Sequence, residues 1–163
     1  MLHKAYFDAS YNWSNGTATL AYVIYNPKKK AIDKEIFITT TDDSNHAEWI
    51  ALARLLRKLK ELGIKNVIIC GDNRNVIDIA NGRGKGERNV SKRKIIEEYI
   101  PHFKNITFKW VARNENNEAD RLSKNKKVKG VKNKIVKDTY ITIPKMFDFN
   151  FKYREKKKKV IAK

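Results

Sequence analysis

The chain has 163 residues, 41% hydrophobic and 33% charged, with 36 Lys/Arg against 18 Asp/Glu and a formal charge of +18. That length carries one domain with a core plus an appendage, and no apolar run approaches the roughly 20 residues that span a bilayer, so no membrane partner is expected. One cysteine, Cys70, excludes an internal disulfide and fits an intracellular, cytoplasmic setting.

The opening residues read as structure rather than as a leader. HKAYFDAS (3–10) is a strand ending at Asp8 or just beyond, and YNWSNG (11–16) is a turn. TATLAYVIYN (17–26) is rich in Thr, Val, Ile and Tyr, as strands are. After PKKK, the segment AIDKEIFITT (31–40) is a third strand, so 3–40 forms an antiparallel meander. TDDSN supplies loop and cap chemistry for a helix over 46–63, which Gly63 stops. NVIICG (66–71) is short and apolar, the pattern of a buried central strand. RNVIDIAN is a short helix, GRGKGERN a loop, VSKRKIIEEYIPHF a helix with Pro101 near its end, and ITFKWV (106–111) a last strand. A helix then runs from after Asn114 to about Lys124. This order predicts an α/β (α+β mixed) domain, a mixed sheet with helices on its faces.

Four acids stand where acids are unusual. Asp8 lies within or at the end of the first strand, where Asp is disfavoured, and a buried carboxylate there is costly unless paired or metal-bound. Glu48 heads the helix face that continues through Leu52, Leu55, Leu59 and Leu62; an ordinary alternative makes Asn45 the N-cap and Glu48 its capping-box partner. Asp72 follows NVIICG directly, at the strand end where functional groups gather, or it caps the next helix. Asp120 sits in NNEADRLS, on the core side with Ala119 and Leu122. Four carboxylates in one cleft would repel and raise each other's proton affinity. Divalent cations relieve that, and all-oxygen ligands suit Mg²⁺ or Mn²⁺. Two such ions about 4 Å apart clamp an in-line phosphoryl displacement.

YFDAS (6–10), NHAEWIALARLL (45–56), IICGDNRNVI (68–77) and WVARNENNEADRLS (110–123) occur in the order and spacing of four acidic motifs. In these the sequence resembles type 1 ribonuclease H, over about residues 3–125, and its histidine-lacking branch in particular. The resemblance implies a ribonuclease H-like fold with a five-stranded mixed sheet flanked by helices. It implies a two-metal endonuclease that cuts the RNA strand of an RNA–DNA hybrid, leaving 5′-phosphate and 3′-hydroxyl ends. Carried over by position, Asp8 bridges two Mg²⁺ ions, with Mn²⁺ as an alternative. Asp120 completes the site for the attacking water, and Glu48 and Asp72 the site for the leaving oxygen. Ser10, Asn12, Asn45, Arg74, Arg113 and Asn116 fall near positions that touch the hybrid. Short polar groups there suit the 2′-hydroxyls of an A-like minor groove.

Three departures accompany the resemblance. The loop ARNENN lacks a histidine; His3 and His46 read as surface or strand histidines, and His102 lies earlier, near a helix end. The basic protrusion of some bacterial members is missing, with the short, basic GRGKGERNVSKRK (82–94) expected as at most a partial replacement, and DAS stands where many have DGS.

The remaining charge lies at the end. Residues 121–163 hold 16 Lys/Arg against 3 Asp/Glu, a balance of +13, which leaves +5 on residues 1–120. The division expected is a catalytic domain at 1–125 and a basic extension at 126–163. The extension reads as a basic linker or frayed helix (124–138), a short strand TYITIP (139–144), an aromatic alternation in MFDFNFKY (146–153) and a disordered end. Its lysines attract nucleic acid, while the aromatic alternation also fits a strand packed on the body. A monomer is expected. The alternative functions are a binding module that has lost its chemistry, or a superfamily relative that cuts DNA junctions.

Overall fold

The structure is a computed structural model that describes residues 1–83, 87–124 and 135–137. Its sheet has six strands: β1 (His3–Asn12), β2 (Thr17–Tyr25), β3 (Ala31–Thr40), β4 (Asn66–Gly71), β5 (Asn105–Trp110) and β6 (Ile135–Lys137). They lie in the order β5-β4-β1-β2-β3-β6. β1, β2 and β3 form the expected antiparallel meander, while β4 pairs in parallel with β1 and β5 with β4. The sheet is therefore mixed, with β1 in its interior, flanked by β4 and β2.

The helices are α1 (Ser44–Glu61), α2 (Arg74–Ala80), α3 (Glu87–Tyr99) and α4 (Asn117–Ser123), with 3-10 turns at Ile100–His102 and Arg113–Glu115. α1 packs on β1 and β2 from one side, and α4 packs on β1, β2 and β3. The main core joins Ala5, Phe7, Leu20 and Ile24 of the sheet to Trp49, Leu52, Leu55, Leu56 and Leu59 of α1. A smaller cluster of Ala21, Val23 and Ile36 is closed by Leu122 of α4. The two clusters follow the period-2 alternation of the strands.

Several local expectations are corrected. The N-cap of α1 is Asp43, whose carboxylate accepts from the His46 N–H at 2.7 Å, so Asn45 lies inside the helix and Glu48 is free of capping. Asn73, not Asp72, caps α2, its Oδ1 accepting from Val76 N–H at 3.2 Å. His46, in the first turn of α1, is buried and not a surface histidine, whereas Leu62, past the helix end, is exposed. The predicted loop at 82–89 is helical from Glu87, and Pro101 falls in the 3-10 turn after α3. Within the expected linker, Ile135–Lys137 forms β6, parallel to Ile36–Ile38 of β3, as a sixth strand beyond the five anticipated. The predicted strand at 139–144, the aromatic alternation at 146–153 and the basic end lie outside the described residues.

Candidate active site

The parallel pairing of β1 with β4 ends at Tyr6 and Cys70, so Asp8 and Asp72, each two residues on, emerge side by side. These are the carboxyl ends of neighbouring central strands, where open α/β sheets carry their sites. Gly71 makes the approach possible: a Cβ there would lie 2.5 Å from the Phe7 ring. The first turn of α1 brings Glu48 to the same point. One carboxylate oxygen from each of Asp8, Glu48 and Asp72 lies within 4.8 Å of the others.

Asp120 of α4 lines the same cleft, an open cavity of about 650 Å³ also walled by Ser10, Trp13, Trp110, Arg113 and Lys124. It stands outside the tight trio and carries its own cations: Lys124 Nζ at 3.0 Å and Arg113 Nη2 at 3.4 Å. Ser123 bridges the groups, its hydroxyl 3.1 Å from Asp8 Oδ2 and 2.8 Å from the Asp120 carbonyl oxygen.

The electrostatics divide the four acids. Asp8 is 4% exposed, and burial, with the Asp72 charge adding, pushes its carboxyl up to about 6 despite hydrogen bonds that favour the ionised form. Burial and the adjacent Asp8 hold Glu48 well above the usual carboxylate range. Burial also raises Asp72, against the Asn116 amide and the Arg113 charge. At Asp120 burial acts upward too, but Lys124 and Arg113 prevail and the carboxyl is held down. Asp8 and Glu48 thus face no cation of the protein, Asp72 feels Arg113 without being brought down by it, and Asp120 is held by Lys124 and Arg113.

A divalent cation fits this set. The donors are all oxygen, converge on one point, and include the buried Glu48 Oε2, which has no hydrogen-bond partner. An unpaired buried carboxylate oxygen is costly, and coordination would relieve it.

A family model described as reverse transcriptase-like matches residues 6–126. The chain belongs to that family. Among solved structures, this reverse transcriptase-like chain is similar to the type 1 ribonuclease H of the halophilic archaeon Halobacterium salinarum, at 22% identity and TM-score 0.69, with 75% of this chain and 94% of that one covered. The N-terminal ribonuclease H domain of a Mycobacterium tuberculosis protein, solved as a fusion with maltose-binding protein, gives 21% identity and TM-score 0.69, covering 76% and 91%. The LC11 ribonuclease H1, solved in complex with an RNA/DNA hybrid, gives 22% identity and TM-score 0.64, covering 76% and 95%. The fold is that of type 1 ribonuclease H.

The six polar residues expected to touch nucleic acid stand in different surroundings. Ser10 lines the cleft and donates to the Ser123 carbonyl. Arg113 is exposed over Asp120. Asn12 is exposed at the end of β1, and Asn45 is exposed and accepts from Asn73 Nδ2 at 2.9 Å. Arg74 is exposed with its guanidinium 4.2 Å from the Trp110 ring centroid. Asn116 is the exception: 1% exposed, it donates to the Phe7 carbonyl at 2.9 Å and supports Asp72 from beneath the cleft. Residues that the sequence did not single out also line the cleft. Among them are Ser123, Lys124, Trp13 and Trp110, whose indole Nε1 donates to the Asp72 carbonyl at 3.0 Å. Lys124 stands four residues after Asp120 on one helix face, a spacing that could have revealed it.

Proposed function

We propose that the chain is a metal-dependent endonuclease that hydrolyses the RNA strand of RNA–DNA hybrids and leaves 5′-phosphate and 3′-hydroxyl ends. The observation that carries this reading is the convergence of Asp8, Glu48 and Asp72 at the strand ends of a chain with formal charge +18. A cationic protein collects polyanions, and a carboxylate trio at the bottom of its cleft has no use for phosphate unless cations lie between them. The solved LC11 relative, on its RNA/DNA hybrid, supports that substrate class.

Asp8, Glu48, Asp72 and Asp120 would hold two Mg²⁺ ions, or Mn²⁺. Bound divalent ions supply the charge that balances the attacking and leaving oxygens of an in-line displacement. The chain's own groups prepare the rest. Ser123 fixes the rotamer of Asp8. Asn116 and the Phe7 carbonyl seat the Asp72 side of the cleft. Lys124 and Arg113 keep Asp120 ionised, so it is an acceptor at neutral pH, next to where water would be oriented. Arg113 and Arg74, both exposed, suit backbone phosphates. The catalytic unit corresponds to residues 1–125, and the basic extension at 126–163 adds sequence-independent attraction for nucleic acid.

The deciding experiment is cleavage of an end-labelled RNA–DNA hybrid beside duplex RNA and duplex DNA, with Mg²⁺ and with Mn²⁺, comparing the wild type with Asp120→Asn. Cuts confined to the RNA strand of the hybrid, absent with EDTA and in the variant, are expected. Cuts in DNA junctions or duplexes would redirect the reading to a DNA-cutting relative. Salt-sensitive binding with no cuts under either metal would make the chain a binding module.

A further inference from the structure

We infer that Trp13 is a substrate-contacting residue, an aromatic platform on which a nucleotide of the bound strand lays its base or ribose beside the carboxylates. This deepens the nucleic-acid reading above and rests on it.

The three tryptophans stand in different surroundings. Trp49 is fully buried in the core. Trp110 is half-exposed, but its Nε1 is spent on the Asp72 carbonyl and Arg74 covers its ring. Trp13 is 73% exposed. The fold gains little from an indole left in water, since stabilisation scales with apolar area removed from it.

Yet the turn that carries Trp13 is tightly built. Asn12 Oδ1 accepts from the Ser14 N–H at 2.9 Å and from the Ser14 hydroxyl at 2.8 Å. The Gly16 N–H reaches the Asn12 carbonyl at 2.8 Å, with Gly16 at φ +73°, a backbone that glycine adopts without strain. The Gly16 carbonyl in turn accepts from the Thr41 N–H at 2.9 Å. The indole stands edge-on to Tyr11, with centroids 4.7 Å apart and planes at 85°, and the Tyr11 hydroxyl is anchored on the Thr41 carbonyl at 2.9 Å. An exposed ring held this firmly is preorganised for a flat ligand.

Its place identifies the ligand. Trp13 lines the carboxylate cleft and also a second cavity of about 460 Å³ that continues over Ser10, Asn12, Asn15, Thr17 and Thr19. In that cavity the Oδ1 of Asn15 is taken by the Thr17 N–H at 2.9 Å, as that of Asn12 is by Ser14. Both amides are therefore oriented so that their NH₂ groups remain for a ligand. Donors beside an aromatic face suit a nucleotide, whose phosphate and sugar oxygens accept while its base or ribose packs on the ring.

The test uses the full chain in an Asp8→Asn background, which blocks cutting, and a short fluorescein-labelled RNA–DNA hybrid in Mg²⁺ buffer. Adding Trp13→Ala should raise Kd about 5-fold or more, as loss of one stacking partner does, with the salt slope unchanged because no charge is lost. Trp13→Phe should bind with intermediate affinity, which separates ring contact from misfolding, and should abolish most of the tryptophan quench that the hybrid produces. An unchanged Kd with the quench intact in Trp13→Phe would place the indole off the path and overturn the proposal. So would weaker binding with a flattened salt slope, since the change would then act through cations. If the Asp8→Asn parent itself fails to bind hybrid, the nucleic-acid reading falls, and the role of Trp13 with it.

Discussion

Asp8→Asn should make the metal-free protein more stable while it abolishes cleavage. Asp8 is 4% exposed, and burial raises its carboxyl from an ordinary 3.8 to about 6. Between those values the folded chain binds a proton that the unfolded chain has released, so stability falls as pH rises through that window. Above it, the full difference applies, about 3 kcal/mol at about 1.4 kcal/mol per pH unit. Asparagine keeps the size of the side chain and an oxygen that can accept from Ser123, and it carries no charge to bury. The gain should therefore be about 3 kcal/mol at pH 8 in EDTA, about half that at pH 5, and below about 1 kcal/mol near pH 4. Near neutral pH this is a rise in Tm on the order of 10 °C. Urea unfolding followed by circular dichroism at the three pH values measures it. Mg²⁺ at about 100 times its Kd should return about 2.7 kcal/mol to the wild type and less to the variant. A variant no more stable at pH 8, or a gain that does not shrink with acid, would mean that Asp8 does not bear the burial cost, and the case for a cation at this point would lose its energetic footing.

Gly71→Ala should destabilise by about 1–3 kcal/mol, the usual cost of overpacking, because the new Cβ meets the Phe7 ring at 2.5 Å; activity should fall further than stability because Asp8 and Asp72 are pushed apart. Stability within about 0.5 kcal/mol of wild type in chemical unfolding would refute the tight approach of β1 and β4. Removing residues 138–163, with 8 Lys/Arg against 3 Asp/Glu, should weaken hybrid binding and flatten the plot of log K against log salt. An unchanged slope would show that this segment does not touch the phosphates.

Much of this architecture was legible in the residues. Strand-type composition, turn signals and one wholly apolar run located β1 to β5, and a period-3.6 apolar face located α1, within a few positions. The four acids were legible as conflicts: Asp8 in a strand, Glu48 heading an apolar helix face, Asp72 behind a wholly apolar run. The caps were not. Thr41 to Asn45 offers five consecutive capping-type residues and Asp72–Asn73 offers two, and only backbone geometry chooses among them. Those choices, Asp43 and Asn73, are what release Glu48 and Asp72 for the cleft. β6 was invisible because three residues among lysines carry no periodicity. Trp13 read as a turn aromatic because sequence reports neither exposure nor what a turn faces. The split between Asp120 and the other acids was also hidden, since it depends on Lys124 and Arg113 reaching one carboxylate.

Phe7 gives the cleft an unusual mechanical character. Its ring occupies the space beside Gly71, its carbonyl accepts from Asn116 ahead of α4, and the next residue is Asp8. One core residue thus ties together β1, β4 and α4, by its ring and by its backbone carbonyl, and these elements present three of the four acids. Opening the cleft by local unfolding would require pulling that ring from the main core, so the acids belong to the same cooperative unit as the sheet. Amide hydrogens around Asp8 and Gly71 should then exchange only through global unfolding, and mild denaturation should not leave a folded body with a frayed cleft. Whatever moves during a catalytic cycle would have to be the turn, the side chains and the bound strand, over a floor that stays rigid.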